Sequence, residues 1–214
     1  MNYFTVSAPA TDSFVEKKSE FIGYIAPVSS GEEAVEFVDK IRSMHRKAKH
    51  NVYAYIVRKD NISRYSDDGE PQGTAGIPVL DVLRKRGLTD VCVVVTRYFG
   101  GILLGGGGLV RAYSHAATIA CDAAHIMDMR LCHRIRVSTD YGMYGKISYI
   151  LPQFNVITVS SDFGGTVTLE LLVLSEKLDA FTKQLIELTN GSAVTEDCGE
   201  LFEDFSSVTN LQEG

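Results

Sequence analysis

No run of apolar residues in this chain approaches the roughly 20 needed to cross a bilayer as a helix. The longest, such as Val91 to Val95 and Leu171 to Leu174, are the length of strands, so no membrane span is expected. The opening Met1-Asn2-Tyr3-Phe4-Thr5-Val6 has no basic start, no apolar stretch and no small-residue cleavage site, so it does not read as a secretory signal. The four cysteines, Cys92, Cys121, Cys132 and Cys198, are scattered and include no Cys-x-x-Cys. That spacing excludes a zinc knuckle or a redox dithiol. Cys92 and Cys121 lie in apolar segments, where a thiol packs as a small hydrophobe. The expected compartment is a reducing cytoplasm. No Gly-Lys-Ser/Thr closes a phosphate loop, and no Gly-x-Ser-x-Gly elbow presents a nucleophile. Ser114 and His115 are neighbours on a predicted helix and point apart. No catalytic residue, no metal and no cofactor is expected.

What is present is an ordinary globular composition, 45% hydrophobic and 22% charged over 214 residues, enough for one large or two small domains. The net charge of −6 argues against a general polyanion binder, but it is unevenly placed. Residues 1–130 carry 16 Lys and Arg against 15 Asp and Glu, net +1, and residues 131–214 carry 5 against 12, net −7.

The pattern predicts two domains, 1–129 and 130–205, with a frayed tail over 206–214. The join near Met127-Asp128-Met129-Arg130 is short and neither Pro- nor Ser-rich. In the first domain, residues 19–28 read as a strand stopping at Pro27, as an edge strand does. Helices are expected over 31–47, 75–86 and 109–124, strands over 51–57 and 91–95, and a polar loop over 60–72. The all-apolar Val91-Cys92-Val93-Val94-Val95 is the kind of strand that is buried on both faces. The second domain reads strand 131–139, helix 141–151, a hairpin of 155–160 with 166–174, helix 175–189 and strand 193–205. That β-α-β-β-α-β order is the ferredoxin-like signature.

Three constellations stand out. In the first, Thr96-Arg97-Tyr98-Phe99-Gly100-Gly101 runs from the apolar strand to Gly105-Gly106-Gly107-Gly108 at a helix start, six glycines in the nine positions from 100 to 108. Glycines let a ligand approach the backbone, and a helix N-terminus offers free N–H groups with partial positive charge, which suits a phosphate or carboxylate. Arg97 and Arg111 would add charge, and Tyr98, Phe99 or Tyr113 a stacking face. The alternative is that the glycines only permit tight packing. The second constellation is Asp67-Asp68-Gly69-Glu70, whose three carboxylates would line a cleft and hold a cation or move a proton. Against this, acidic residues beside Gly and Pro are also what any exposed turn uses, with Thr74 capping the next helix. The third is a basic and histidine cluster, Arg42, His45, Arg46, Lys47, Lys49 and His50. In it Arg42 and Arg46 share a helical face that Lys49 continues if the helix extends, a phosphate-contacting stripe if not merely a solvated one, with His50 just before a strand.

The segments Lys18-Ser19-Glu20-Phe21, His50-Asn51-Val52, Ser66-Asp67-Asp68-Gly69-Glu70-Pro71-x-Gly-Thr-Ala-Gly and Val95-Thr96-Arg97-Tyr98-Phe99-Gly100-Gly101-x-x-Leu104-Gly105 closely resemble the IMPACT family, in particular its bacterial YigZ-like two-domain members. The resemblance covers about residues 17–125. It implies an α+β protein: an N-terminal left-handed β-α-β fold like the second domain of a small-subunit ribosomal protein, and a ferredoxin-like C-terminal domain. Eukaryotic relatives restrain a starvation-responsive translation-initiation kinase by competing for its activator. That partner system is absent from bacteria, so the resemblance implies a link to translation or RNA and no specific catalytic residue. The expected partners are RNA or the ribosome, or a protein of translation, and no membrane. The expected site is Arg97, Tyr98, Phe99, Gly100, Gly101, Gly105 to Gly108 and Arg111, flanked by Arg46, Lys49 and His50. A metal-dependent enzyme using Asp67, Asp68 and Glu70 on a phosphorylated or acidic substrate is the alternative.

Overall fold

The structure, a computed structural model, describes residues 2–59 and 61–209. The chain divides into two compact units, residues 3–127 and residues 128 onward together with Asn2. The first contains β1 (Tyr3–Val6), β2 (Ala10–Glu16), β3 (Ser19–Pro27), α1 (Gly31–Met44), β4 (His50–Val57), β5 (Ile62–Ser66), α2 (Gly76–Lys85), β6 (Val91–Tyr98) and α3 (Gly106–Asp122). An antiparallel sheet runs β2-β3-β6-β4-β5.

The last of these strands in the chain is the middle of the sheet, and its composition explains why. Residues 91–95 are fully buried, with Val91, Val93 and Val95 facing α2 and α3 in one core and Cys92 and Val94 facing α1 in another. Burying each valine contributes about 1.5–3 kcal/mol, and an apolar side chain on both faces leaves no position for solvent. Helix α1 covers its face with Ala34, Val38 and Ile41. It starts at Ser30, whose hydroxyl accepts from the Glu33 amide at 3.2 Å while the Glu33 carboxylate accepts from the Ser29 amide at 2.7 Å. This is the reciprocal arrangement of a capping box displaced by one residue.

Besides β1, which the sequence reading did not include, three strands depart from it. β3 is interior rather than an edge, because Pro27 is its last residue and the missing N–H falls where pairing ends. β2 and β5 were hidden by polarity: both are sheet edges facing solvent, so Ala-Thr-Asp-Ser-Phe-Val-Glu and Ile-Ser-Arg-Tyr-Ser carry little of the period-two signal.

The second unit is β7 (Ile126–Thr139), α4 (Tyr141–Ile150), a 3₁₀ turn over Leu151–Phe154, β8 (Ile157–Phe163), β9 (Val167–Leu174), a 3₁₀ turn over Ser175–Lys177, α5 (Leu178–Thr189), β10 (Val194–Asp204) and α6 (Ser206–Thr209). The element order is β-α-β-β-α-β, with an antiparallel sheet ordered β10-β7-β9-β8. Ile135, Val137, Leu169 and Leu171 pack on Ile147, Phe181 and Leu185 beneath the helices. Of the tail expected to fray, Ser206–Thr209 forms the short α6, with the Ser206 amide bonded to the Asp204 carboxylate at 2.9 Å, and 210–214 lie outside the described residues. Among the described residues no helix is long and apolar enough to cross a membrane.

Burial pushes the Cys92 thiol up to about 12 and those of Cys121 and Cys132 up to about 11, while Cys198 is exposed. Thiols held up in this way favour the fold fully below their ordinary value of 9.0, and that contribution is lost as pH rises through 11 to 12. At neutral pH an alkylating reagent is expected to modify Cys198 alone in the folded protein and all four cysteines in denaturant. Rapid native labelling of a second cysteine, read by mass spectrometry, would mean that the cores open far more readily than this packing allows.

Candidate functional site

The sheet end at which β6 finishes gathers every segment singled out in the N-terminal sequence. On β6, Arg97 pairs with Phe21 of β3 and with His50 of β4, so these three side chains share the face covered by α2 and α3. The loop after β5 crosses that face. Its Glu70 takes the Arg97 guanidinium at 2.6 Å and the Tyr113 hydroxyl at 2.7 Å on the same carboxylate oxygen. The Arg97 and Glu70 side chains are 6% and 5% exposed and Tyr113 is fully buried. Burial first, then the charge of Glu70, holds the Tyr113 phenol well above its ordinary value, so it stays a donor. Arg97 also lies 5.4 Å from the Phe21 ring centre and 5.5 Å from that of Phe99, in cation–π range.

This corrects two expectations. Arg97 is turned inward, and its charge is met by Glu70 inside the unit. The carboxylates do not line an open cleft, because each has an internal task. Asp67 accepts from the amides of Gly73 at 2.9 Å, Ala75 at 3.1 Å and Gly76 at 2.8 Å, and so caps α2 from nine residues away. Thr74 instead donates its hydroxyl to the Pro71 carbonyl. Asp68 binds Arg42 at 2.7 Å and the Asn51 amide at 2.6 Å, and its carbonyl accepts from His50 Nδ1 at 2.9 Å. That bond to a carbonyl places a proton on His50 Nδ1. Among the described residues no three His, Cys, Asp or Glu groups are placed to hold a metal.

The basic stripe also takes a different form. Helix α1 ends at Met44 with His45 as its C-cap, so Arg46 and Lys49 are not on the helix, and Arg42 is engaged by Asp68. Both Arg46 and Lys49 are exposed in the link to β4. His45, a member of the basic cluster left out of the expected site, fastens that link: its Nε2 lies 2.6 Å from the Tyr24 hydroxyl and its Nδ1 2.9 Å from the Tyr98 hydroxyl, so one phenol donates and the other accepts. Burial raises the Tyr24 phenol above its ordinary value. The Tyr98 hydroxyl is thereby engaged by His45. The only sequence signal for this was aromatic spacing on the α1-facing side of two strands.

The glycine-rich turn divides by role. At Gly100 a Cβ would collide with the Lys18 carbonyl oxygen, so this glycine lets two turns touch. Gly101 and Gly105 take positive φ, +87° and +72°. Gly106 and Gly107 need neither excuse. Their φ is ordinary, and a Cβ on either would meet nothing closer than 3.9 and 3.8 Å. They form the first turn of the 17-residue α3, whose N-cap Gly105 supplies no side-chain bond. Glycine is a poorer helix former than alanine, and for two of the three successive glycines at this helix start no packing inside the unit explains the choice. The turn is therefore an open set of N–H donors with partial positive charge. Beside it Arg111 is exposed, as are Phe99 (53%) and Leu103 (81%).

A sheet clad by helices on both faces, followed by a second α/β unit and carrying at one end an uncapped glycine helix start, defines a two-domain mixed α/β protein. The Impact N-terminal domain matches residues 17–121, and a domain of unknown function, DUF1949, matches residues 137–192. The IMPACT family member YvyE of Bacillus subtilis is 39% identical over 99% of this chain and 98% of its own length. YigZ of Escherichia coli, also an IMPACT family member, is 33% identical over 87% and 93%. A crystal structure of a hypothetical protein, 32% identical, superposes with a TM-score of 0.58 over 91% of this chain and 96% of that one. The chain belongs to the IMPACT family, and both of its units have counterparts in bacterial members.

Proposed function

We propose that this protein is an RNA- or ribosome-associated binding protein that regulates translation, and that it contacts phosphate through the turn Gly105 to Gly108 with Arg111. The observation that carries this reading is the pair of glycines, Gly106 and Gly107, that neither φ nor internal packing requires at an uncapped helix start. A backbone kept bare there serves an approaching partner. Exposed Phe99 offers a base a stacking face, and Arg46 and Lys49 add positive charge at the same sheet end. Asp67, Asp68 and Glu70 hold amides and arginines, which favours binding over metal-assisted chemistry.

The test is Gly107→Asp. Aspartate is a better helix former than glycine, is favoured in a first helical turn, and stands four residues before Arg111. The variant is expected to melt no lower than the parent while its affinity for single-stranded RNA falls at least about tenfold, since a carboxylate now occupies the phosphate's place. Parental binding should weaken steeply with salt. Salt-independent affinity, or an unchanged affinity in the variant, would sink the proposal. The exposed Ile102 (42%) and Leu103 (81%) on the same turn support a second reading, a protein partner in translation. A pull-down that survives nuclease treatment and is lost in Leu103→Asp would favour it.

A further inference from the structure

Behind the glycine turn, the β2–β3 hairpin and α3 enclose a groove of about 290 Å³ lined by Phe14, Lys17, Leu104, Gly108, Arg111 and His115. We propose that this groove holds a sugar-phosphate unit of single-stranded RNA, with its phosphate on Lys17 and Arg111 and its sugar or base against His115 and Phe14. The inference rests on the RNA-binding reading and extends it to residues outside the glycine turn.

The charge balance comes first. Two cations, Lys17 and Arg111, line the groove against a single acid, Glu16. Arg111, like Arg46 and Arg64, makes no ion pair among the described residues, whereas Arg42, Arg58, Arg84, Arg86 and Arg97 of the same unit do. A protein that leaves an arginine unpaired beside a lysine and an open helix start concentrates positive potential there. The walls suit a nucleotide rather than a bare ion: His115 meets the Phe14 ring edge-on at 4.6 Å, and Leu104 and Ala112 complete an apolar side.

The second observation concerns Lys17 itself. β2 and β3 pair up to Glu16 with Ser19, which leaves a two-residue turn of Lys17 and Lys18, at φ +47° and +63°. Such turns favour Asn-Gly, because both positions need the left-handed region, where a side chain bearing Cβ is strained. Two lysines stand there instead. The tip is pinned, since the Lys18 carbonyl packs into the space left by Gly100 and the Gly100 amide donates to Ser19 Oγ at 3.2 Å. Lys17 is thus fixed at the groove in spite of strain. RNA rather than a free nucleotide follows from continuity: Gly108 belongs both to the groove and to the open turn, so a strand lying on one runs into the other.

The full chain would be titrated into a labelled single-stranded RNA by fluorescence anisotropy, with urea unfolding alongside. Lys17→Asn with Lys18→Gly installs the turn's preferred residues, so its unfolding midpoint should rise while RNA affinity falls several-fold and the salt slope drops by about one. His115→Gln should weaken binding without a matching loss of stability. Parental affinity retained in both variants, while Gly107→Asp abolishes binding, would overturn the groove and leave the RNA-binding reading standing. No RNA binding by the parent would overturn both. Displacement of the RNA by a nucleoside monophosphate at concentrations near the RNA's own Kd would show a small-molecule pocket and overturn the assignment to a strand.

Discussion

Glu70→Ala is expected to destabilise the N-terminal unit by about 3–5 kcal/mol, because it leaves the Arg97 charge buried without its partner. Arg97 is 6% exposed, and the same carboxylate oxygen also receives the Tyr113 hydroxyl, so one truncation strands two donors. Glu70→Gln keeps an acceptor in place and loses only the charge, and should lie between the parent and the alanine variant. The double replacement Glu70→Leu with Arg97→Met is expected to regain much of the loss, since apolar residues of similar volume often substitute for a buried ion pair at little cost. Urea denaturation of the three variants checks this. A Glu70→Ala loss below about 1 kcal/mol would place the pair in solvent.

Asp67→Ala is the second large effect, expected at about 2–4 kcal/mol. Three backbone amides, those of Gly73, Ala75 and Gly76, lose their acceptor at once, and Ala75 and Gly76 are buried where water cannot replace it. Asp67→Asn keeps an oxygen and should recover part of the loss. Far-UV circular dichroism should show helix lost in proportion to α2, and hydrogen exchange should rise first over residues 76–85. Fraying elsewhere, with α2 protected, would mean the helix start is held by something other than Asp67.

These two residues also show where sequence reasoning reaches and where it stops. The acidic loop and the glycine turn were visible as unusual, because both break the expected composition of a turn. That Asp67 and Glu70 act inward was not visible, since it depends on β5, a polar edge strand with almost no periodic signal, which brings the loop over β6 and α3. Arg97 looked like a ligand contact because arginines beside glycines so often are. Its burial follows only from strand parity: position 97 continues the row of Val91, Val93 and Val95, and counting by twos along β6 would have placed it inside. The same counting puts Thr96 and Tyr98 on the α1 face, where Thr96 donates to Asn51 at 2.8 Å and Tyr98 meets His45. The helices and the central strand were legible because their apolar periodicity is long. The end of α1 was missed because Arg46 and Lys49 continue a favourable pattern past the residue at which His45 is drawn away by two tyrosines.

The position of β6 bears on how the unit forms as the chain is made. β3 and β4 are never neighbours; each pairs with β6, which is made after both. In a nascent chain that has reached residue 90, β2 with β3 and β4 with β5 can pair only as hairpins, each marginal by itself, with no strand yet made that bonds to both. Both cores can close only when residues 91–98 arrive, and the larger of them only after α3 follows. The N-terminal unit is thus an all-or-none event late in its own synthesis, and its two exposed hairpins are the species most open to mispairing until then.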